Sequence, residues 1–269
     1  MTKRLLWALL IGMIAFNGVL AHDLFLKPSS FFVELNKKAS ITILNGTFQK
    51  SEGVLAYERI TDVSVVNPSG KRVNPTAEDF TKSESAALLG FTPEHAGNYV
   101  VGLSIAWREN SIKAKEFNEY LVAEGIPQVL EERKRDGELN IDGRYRYSKY
   151  VKTMLQAGRI QSDSYKTVLG YPVELIPQQN PYSLQSGDTL ALLCLKDGKP
   201  LADQLVMTGR ELNGKIKTGS QMRSGPDGVI RLRLDGPGKW YVKFINMVKI
   251  DDPKLNYESK WANLTFEIR

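Results

Sequence analysis

The sequence predicts a mainly β protein, with two immunoglobulin-like or transthyretin-like β-sandwich domains and an α-helical segment between them. Three observations carry this. Short β-branched and aromatic runs broken by turn residues fill positions 29 to 106. Apolar residues then recur at helical spacing from about 111 to 158. Strand texture returns at 171 and persists to the C-terminus. The expected divisions are an N-terminal sandwich over 22–108, a helical segment over 109–165 and a C-terminal sandwich over 166–269.

Ahead of these lies a leader. Lys3-Arg4 precede an apolar run from Leu5 to Phe16, and Val19 and Ala21 supply small side chains at −3 and −1 of a cleavage site. That order is expected of a secretory signal peptide spanning 1–21, cleaved after Ala21, so the protein is expected in the periplasm or secreted. No later run approaches the roughly 18 apolar residues of a spanning helix, so no transmembrane span is expected after cleavage.

In the first sandwich, "SFFVEL" and "SITIL" flank the turn Asn36-Lys37-Lys38, "DVSVV" runs into the turn "NPSG", and "NYVVGLSI" closes the region. In the helical segment, "SIKAKEFNEYLVAEG" puts Phe117, Tyr120 and Leu121 on one face, and Gly125 is expected to cap its end. Pro127 suits the first turn of the next helix, "PQVLEERKRDG". A third helix is expected over "GRYRYSKYVKTMLQAG", with Tyr147, Tyr150, Val151, Met154 and Leu155 at helical spacing. The second sandwich is expected from "YPVELIP", "DTLALLCL", the two strands of "GPDGVIRLRLDGPGKWYVKFINMV" and the final "WANLTFEIR". "HAGNYVV" and "GPGKWYV" echo each other, a small-residue turn followed by an aromatic opening a strand, which points to two related sandwiches.

Removing 21 residues from 269 leaves 248, enough for two β domains. The formal charge of +6 becomes +4 when Lys3 and Arg4 leave, and the surplus is spread along the chain rather than gathered as a nucleic-acid footprint. Cys194 is the sole cysteine, which excludes an intramolecular disulfide, and inside "TLALLCL" it is expected to be a buried apolar residue. With two histidines, no G-x-S-x-G elbow and no phosphate-cradling loop, no catalytic constellation stands out and no enzyme is expected.

What remains is metal chemistry. If cleavage follows Ala21, His22 begins the mature chain, and its α-amine and imidazole Nδ1 can close one chelate ring on a cation. Nitrogen donors of this kind suit nickel, cobalt or copper ions. His95, at the corner entering a strand, is a candidate second ligand, with Asp23 or Glu94 adding an oxygen or orienting a ring.

Five segments, "AHDLFLKPSSFFVELNKKASITILNGTF", "FNEYLVAEGIPQVLEER", "YSKYVKTMLQAG", "PVELIPQQNPYSLQSGDTLALLCLKDGKPL" and "WANLTFEIR", together resemble a bacterial periplasmic domain-of-unknown-function family. That family is often labelled a nickel/cobalt-transport periplasmic component, and the resemblance covers nearly the whole mature chain. It implies a histidine near the mature N-terminus as metal ligand, a placement that Ala21-His22-Asp23 matches. Three departures stand out: His22 would be first rather than second, the rich histidine content of dedicated metal-capturing proteins is missing, and Tyr145 in "RYRYSK" stands where an acid is expected. The expected function is transition-metal binding with a membrane transporter as partner and no nucleic acid. The competing expectation is a metal-free interaction module that binds an envelope protein or a glycan, with Trp107 as a candidate exposed aromatic.

Overall fold

A computed structural model describes residues 22–269; the expected leader and its cleavage site lie outside the described residues. The first half contributes β1 (Asp23–Pro28), β2 (Phe32–Val33), β3 (Ala39–Gly46), β4 (Ile60–Val66) and β5 (Arg72–Val73). It continues through β6 (Phe80–Lys82), β7 (Ala87–Phe91) and β8 (Gly97–Ile112). Two helices follow, α1 (Ala114–Ala123) and α2 (Pro127–Arg135), and then β9 (Gly143–Ala157). The second half holds β10 (Val173–Pro177), β11 (Thr189–Lys196), β12 (Lys199–Pro200) and β13 (Leu205–Leu212). It ends with β14 (Lys215–Arg223), β15 (Val229–Arg233), β16 (Gly238–Lys249) and β17 (Tyr257–Ile268). The chain is mainly β, as the sequence predicts, at 51% strand and 13% helix.

The two halves share one topology. In each, a small antiparallel sheet, β1-β3-β7 or β10-β11-β15, faces strands of a larger one. The larger sheet takes β5-β4-β8-β9 from the first half and β14-β13-β16-β17 from the second. The halves meet where β9 and β17 pair in parallel, from Tyr145↔Tyr257 to Thr153↔Thr265, which makes one sheet of nine strands when β2 beside β9 is included. The sequence echo has a structural counterpart. Gly97 opens β8 and Gly238 opens β16, both at positive φ (139° and 131°), and Tyr99 and Trp240 two residues on are both buried.

The small sheets cover opposite faces of the large one. Tyr99, Val101, Val151 and Leu155 pack under β1-β3-β7, whereas Val100 and Met154 pack under β10-β11-β15. The helices lie on the first of these faces, where Phe117, Leu121 and Val129 pack onto Ile245, Met247 and Trp261. Central strands are therefore buried on both sides. That corrects one expectation: residues 143–157 form β9, not a third helix. From Ser148 on, where both faces are covered, the strand shows no apolar–polar alternation, and its apolar positions fit a helical period by coincidence. The α-helical part of the predicted 109–165 segment is confined to α1 and α2, with Pro127 opening α2 as expected, and a 3-10 turn begins at Asp163. The predicted second sandwich therefore shares its large sheet with strands from 60–66, 97–112 and 143–157.

Candidate functional site

The expected ligands separate. β1 pairs with β3 so that Asp23 faces Gly46, and β3 pairs with β7 so that Ala39 faces Phe91. His22 therefore sits at one end of the small sheet and Glu94 and His95, both exposed, at the other. Seven residues of β3 separate these ends, about 23 Å at strand spacing. The two imidazoles cannot share an ion bound at about 2 Å. Among the described residues, no three His, Cys, Asp or Glu side chains gather as metal donors.

His22 and Asp23 stand beside something the sequence analysis missed. The buried Leu24 and Leu26 anchor β1 and fix Asp23 at the strand's start. The Asp23 carboxylate accepts a hydrogen bond from the Lys243 ammonium at 2.6 Å, and Glu124, just past α1, lies 3.4 Å from the same nitrogen. Burial opposes the Lys243 charge, but Asp23 and then Glu124 outweigh it and raise its pKa. Asp23 is thus engaged with a lysine. His22 Nδ1 lies 3.0 Å from a Glu52 carboxylate oxygen on the exposed side.

One row across the large sheet places the next residues. Ile105 on β8 faces Lys149 on β9, and Lys149 faces Trp261 on β17. Because strand side chains alternate, Tyr145, Tyr147 and Lys149 share a face. The Lys149 ammonium donates to the His22 carbonyl and lies 4.8 Å from the Trp261 ring centre and 5.5 Å from that of Tyr147. Lys149 is 5% exposed, and burial, joined by Arg59 and Lys243 against the opposing pull of Asp23 and Glu124, brings its pKa down to about 8. On β8 the register shifts between Ile105 and Arg108, where three steps on β8 match two on β9. This bulge turns Arg108 to the same side as Ile105. Arg59 arrives from the 3-10 turn Tyr57–Arg59 that enters β4.

These residues, with Asn45 and Asn110, line a cavity of about 280 Å³. Its charges are of one sign: Arg59, Arg108 and Lys149, with no acid in the lining. Burial and the neighbouring Arg108 lower the pKa of Arg59. Its Nε and Nη2 are enclosed by protein near the Tyr147 hydroxyl, without a hydrogen bond of ordinary geometry, and are closed to a ligand. Tyr145 is buried in the wall, and its hydroxyl accepts from Asn110 at 3.0 Å. Chemically the cavity offers donors and positive charge beside flat aromatic walls. Trp107, in the bulge next to Arg108, is 57% exposed and takes no part in a core. Cys194 is buried, its thiol pushed up to about 12 by burial, so it is no nucleophile. The only legible signal for Lys149 was its strand face, which the helical assignment of 143–157 concealed.

Solved structures that align along the chain do so loosely. The D0-D1 domain of intimin is 12% identical over 90% of this chain and 96% of its own, with a TM-score of 0.23. Murine CEACAM1b is 8% identical over 92% and 99%, at 0.20. A tetra-tandem repeat of a large adhesion protein is 13% identical over 91% and 49%, at 0.24. At such scores the sandwich assignment stands on the strand order above and not on these alignments. No curated protein matches the sequence. Residues 19–247 match the model of the family described as domain of unknown function DUF4198, and the chain belongs to that family.

Proposed function

We propose that this is an exported binding protein that captures a small ligand in the cavity between the start of β1, the β8–β9 arm and β17. The lining carries this reading: Arg59, Arg108 and Lys149 with no acid among them, beside the rings of Tyr145, Tyr147 and Trp261. Three like charges in a partly enclosed space repel one another, and a bound acceptor of opposite sign offsets that repulsion. A cavity of about 280 Å³ fits a small molecule rather than a peptide.

A second reading is transition-metal capture, the nickel/cobalt role that the sequence resemblance implies. It is favoured by the His22 imidazole beside Glu52, to which cleavage after Ala21 would add an amine. The three cations lining the neighbouring cavity count against it, because they repel a metal cation.

The readings are separated by thermal-shift screening of a small-molecule library and by calorimetric titration of Ni(II), Co(II) and Cu(II). Both use protein with an authentic His22 start. A ligand-dependent rise in Tm that vanishes in Asn110→Trp, which plugs the cavity mouth, supports capture in the cavity. Hits that are indifferent to that substitution overturn it. Metal binding that is lost in His22→Ala establishes the second reading instead.

A further inference from the structure

We infer that the ligand of this cavity is a small dianion, contacted by Arg108 and held in the field of Arg59 and Lys149. This deepens the capture reading above and rests on it.

The charge of the ligand follows from which lining cations are already balanced. Lys149 is answered from behind the cavity wall. Asp23 and Glu124 lie 2.6 and 3.4 Å from the Lys243 ammonium, so two acids share one lysine there, and both also pull on Lys149. Two acids and two lysines cancel in this buried group.

Arg59 and Arg108 have no such counterweight. Both line the cavity, and no acid does. Arg108 acts on Arg59 against its charge, so the two guanidiniums feel each other. Glu109 follows Arg108 in sequence but pairs in register with Arg146. Strand alternation turns both to the opposite face, where Arg146 meets Glu258 at 2.9 Å. Glu52 faces His22 from the exposed side, outside the lining. Two positive charges are left facing the same space.

A monoanion offsets one of them and leaves the other, whereas a dianion offsets both. Partial enclosure matters, because the walls keep water and salt from screening the pair as they would on an open surface. Direct contact falls to Arg108. The bulge in β8 turns it toward the cavity, and its exposed guanidinium forms no ion pair among the described residues, which leaves its N–H donors for an anion's oxygens. Nε and Nη2 of Arg59 are closed to a ligand, so that residue contributes charge and not a grip. Small inorganic dianions and small dicarboxylates share this chemistry.

Isothermal calorimetry at a fixed ionic strength of about 0.15 M compares two matched pairs, sulfate with methyl sulfate and succinate with monomethyl succinate. The members of each pair differ by one charge. At least one dianion is expected to bind at least tenfold more tightly than its monoanionic partner. Binding of sulfate alone assigns an inorganic dianion, and binding of succinate alone an organic one. Arg108→Gln, at an exposed position, removes one of the two charges. It should cut dianion affinity at least tenfold and bring each pair to within a few-fold. Arg108→Lys keeps the charge and should preserve the preference. The dianion assignment is overturned by a monoanion that binds as tightly as its partner, by a preference untouched in Arg108→Gln or equally lost in Arg108→Lys, or by no binding of any probe. A neutral or singly charged library hit blocked by Asn110→Trp would leave the capture reading standing while this one fell.

Discussion

Replacing Lys149 by methionine should stabilise the protein at neutral pH and do so less as the pH rises. An ordinary lysine keeps its proton to about pH 10.4, whereas Lys149 in the fold releases it at about 8. That fall corresponds to roughly 3 kcal/mol of native-state cost while the ammonium stays charged. Between pH 8 and 10 the unfolded chain holds more protons than the folded one, so the wild type gains stability with rising pH across that window. Below pH 8 the whole cost is present. Methionine removes the charge and keeps an apolar stem beside Trp261. It loses the hydrogen bond to the His22 carbonyl, a loss of about 1 kcal/mol. It also leaves Asp23 and Glu124 with Lys243 as their remaining cation, which trims the gain. The net expectation is a gain of about 2 kcal/mol at pH 7, shrinking to nothing or to a slight loss by pH 10. Urea unfolding at both pH values, with unchanged m-values, measures it. A difference that does not vary with pH, or a clear loss of stability at pH 7, would refute the reasoning. The same variant should weaken capture of an anionic ligand by the cavity, since a charge kept at a cost to stability is the mark of a functional site.

Two further expectations concern the frame around the site. Glu174 and Lys152 form an ion pair at 3.0 Å, both almost fully buried, and the Glu174 carboxylate also accepts from the backbone N–H groups of Leu169, Gly170 and Tyr171. Glu174→Ala leaves the ammonium with only the Thr167 carbonyl, strands three N–H groups and should cost about 4 kcal/mol, whereas Lys152→Met leaves a carboxylate still held by those N–H groups and should cost about half as much. Chemical denaturation that gave the reverse order would disprove the account. At Gly143, a Cβ would come within 2.2 Å of the buried Phe117 ring, so Gly143→Ala should push the helical hairpin outward at about 1–3 kcal/mol. Hydrogen exchange should then speed up in residues 114–135 and stay slow in β16 and β17; uniform protection would count against it.

Much of the fold was legible in the sequence because its signals are local. The apolar stripe of α1, Pro127 at the start of α2, and the paired openings at Gly97 and Gly238 all depend on residues within a turn or two of one another. The burial of Cys194 followed from its apolar neighbours.

What the sequence hid is what depends on distant partners. β9 looked helical because strands from both halves cover it on two faces, and burial erases the alternation that marks a half-exposed strand. The cavity joins Arg59, Arg108, Lys149 and Trp261, which only the parallel pairing of β9 with β17 and the bulge in β8 bring to one side of the sheet. Chemistry at residue 22 was readable from its type. That it faces Lys149 instead of His95 was set by strand register, which the chain fixes only once its two halves have docked.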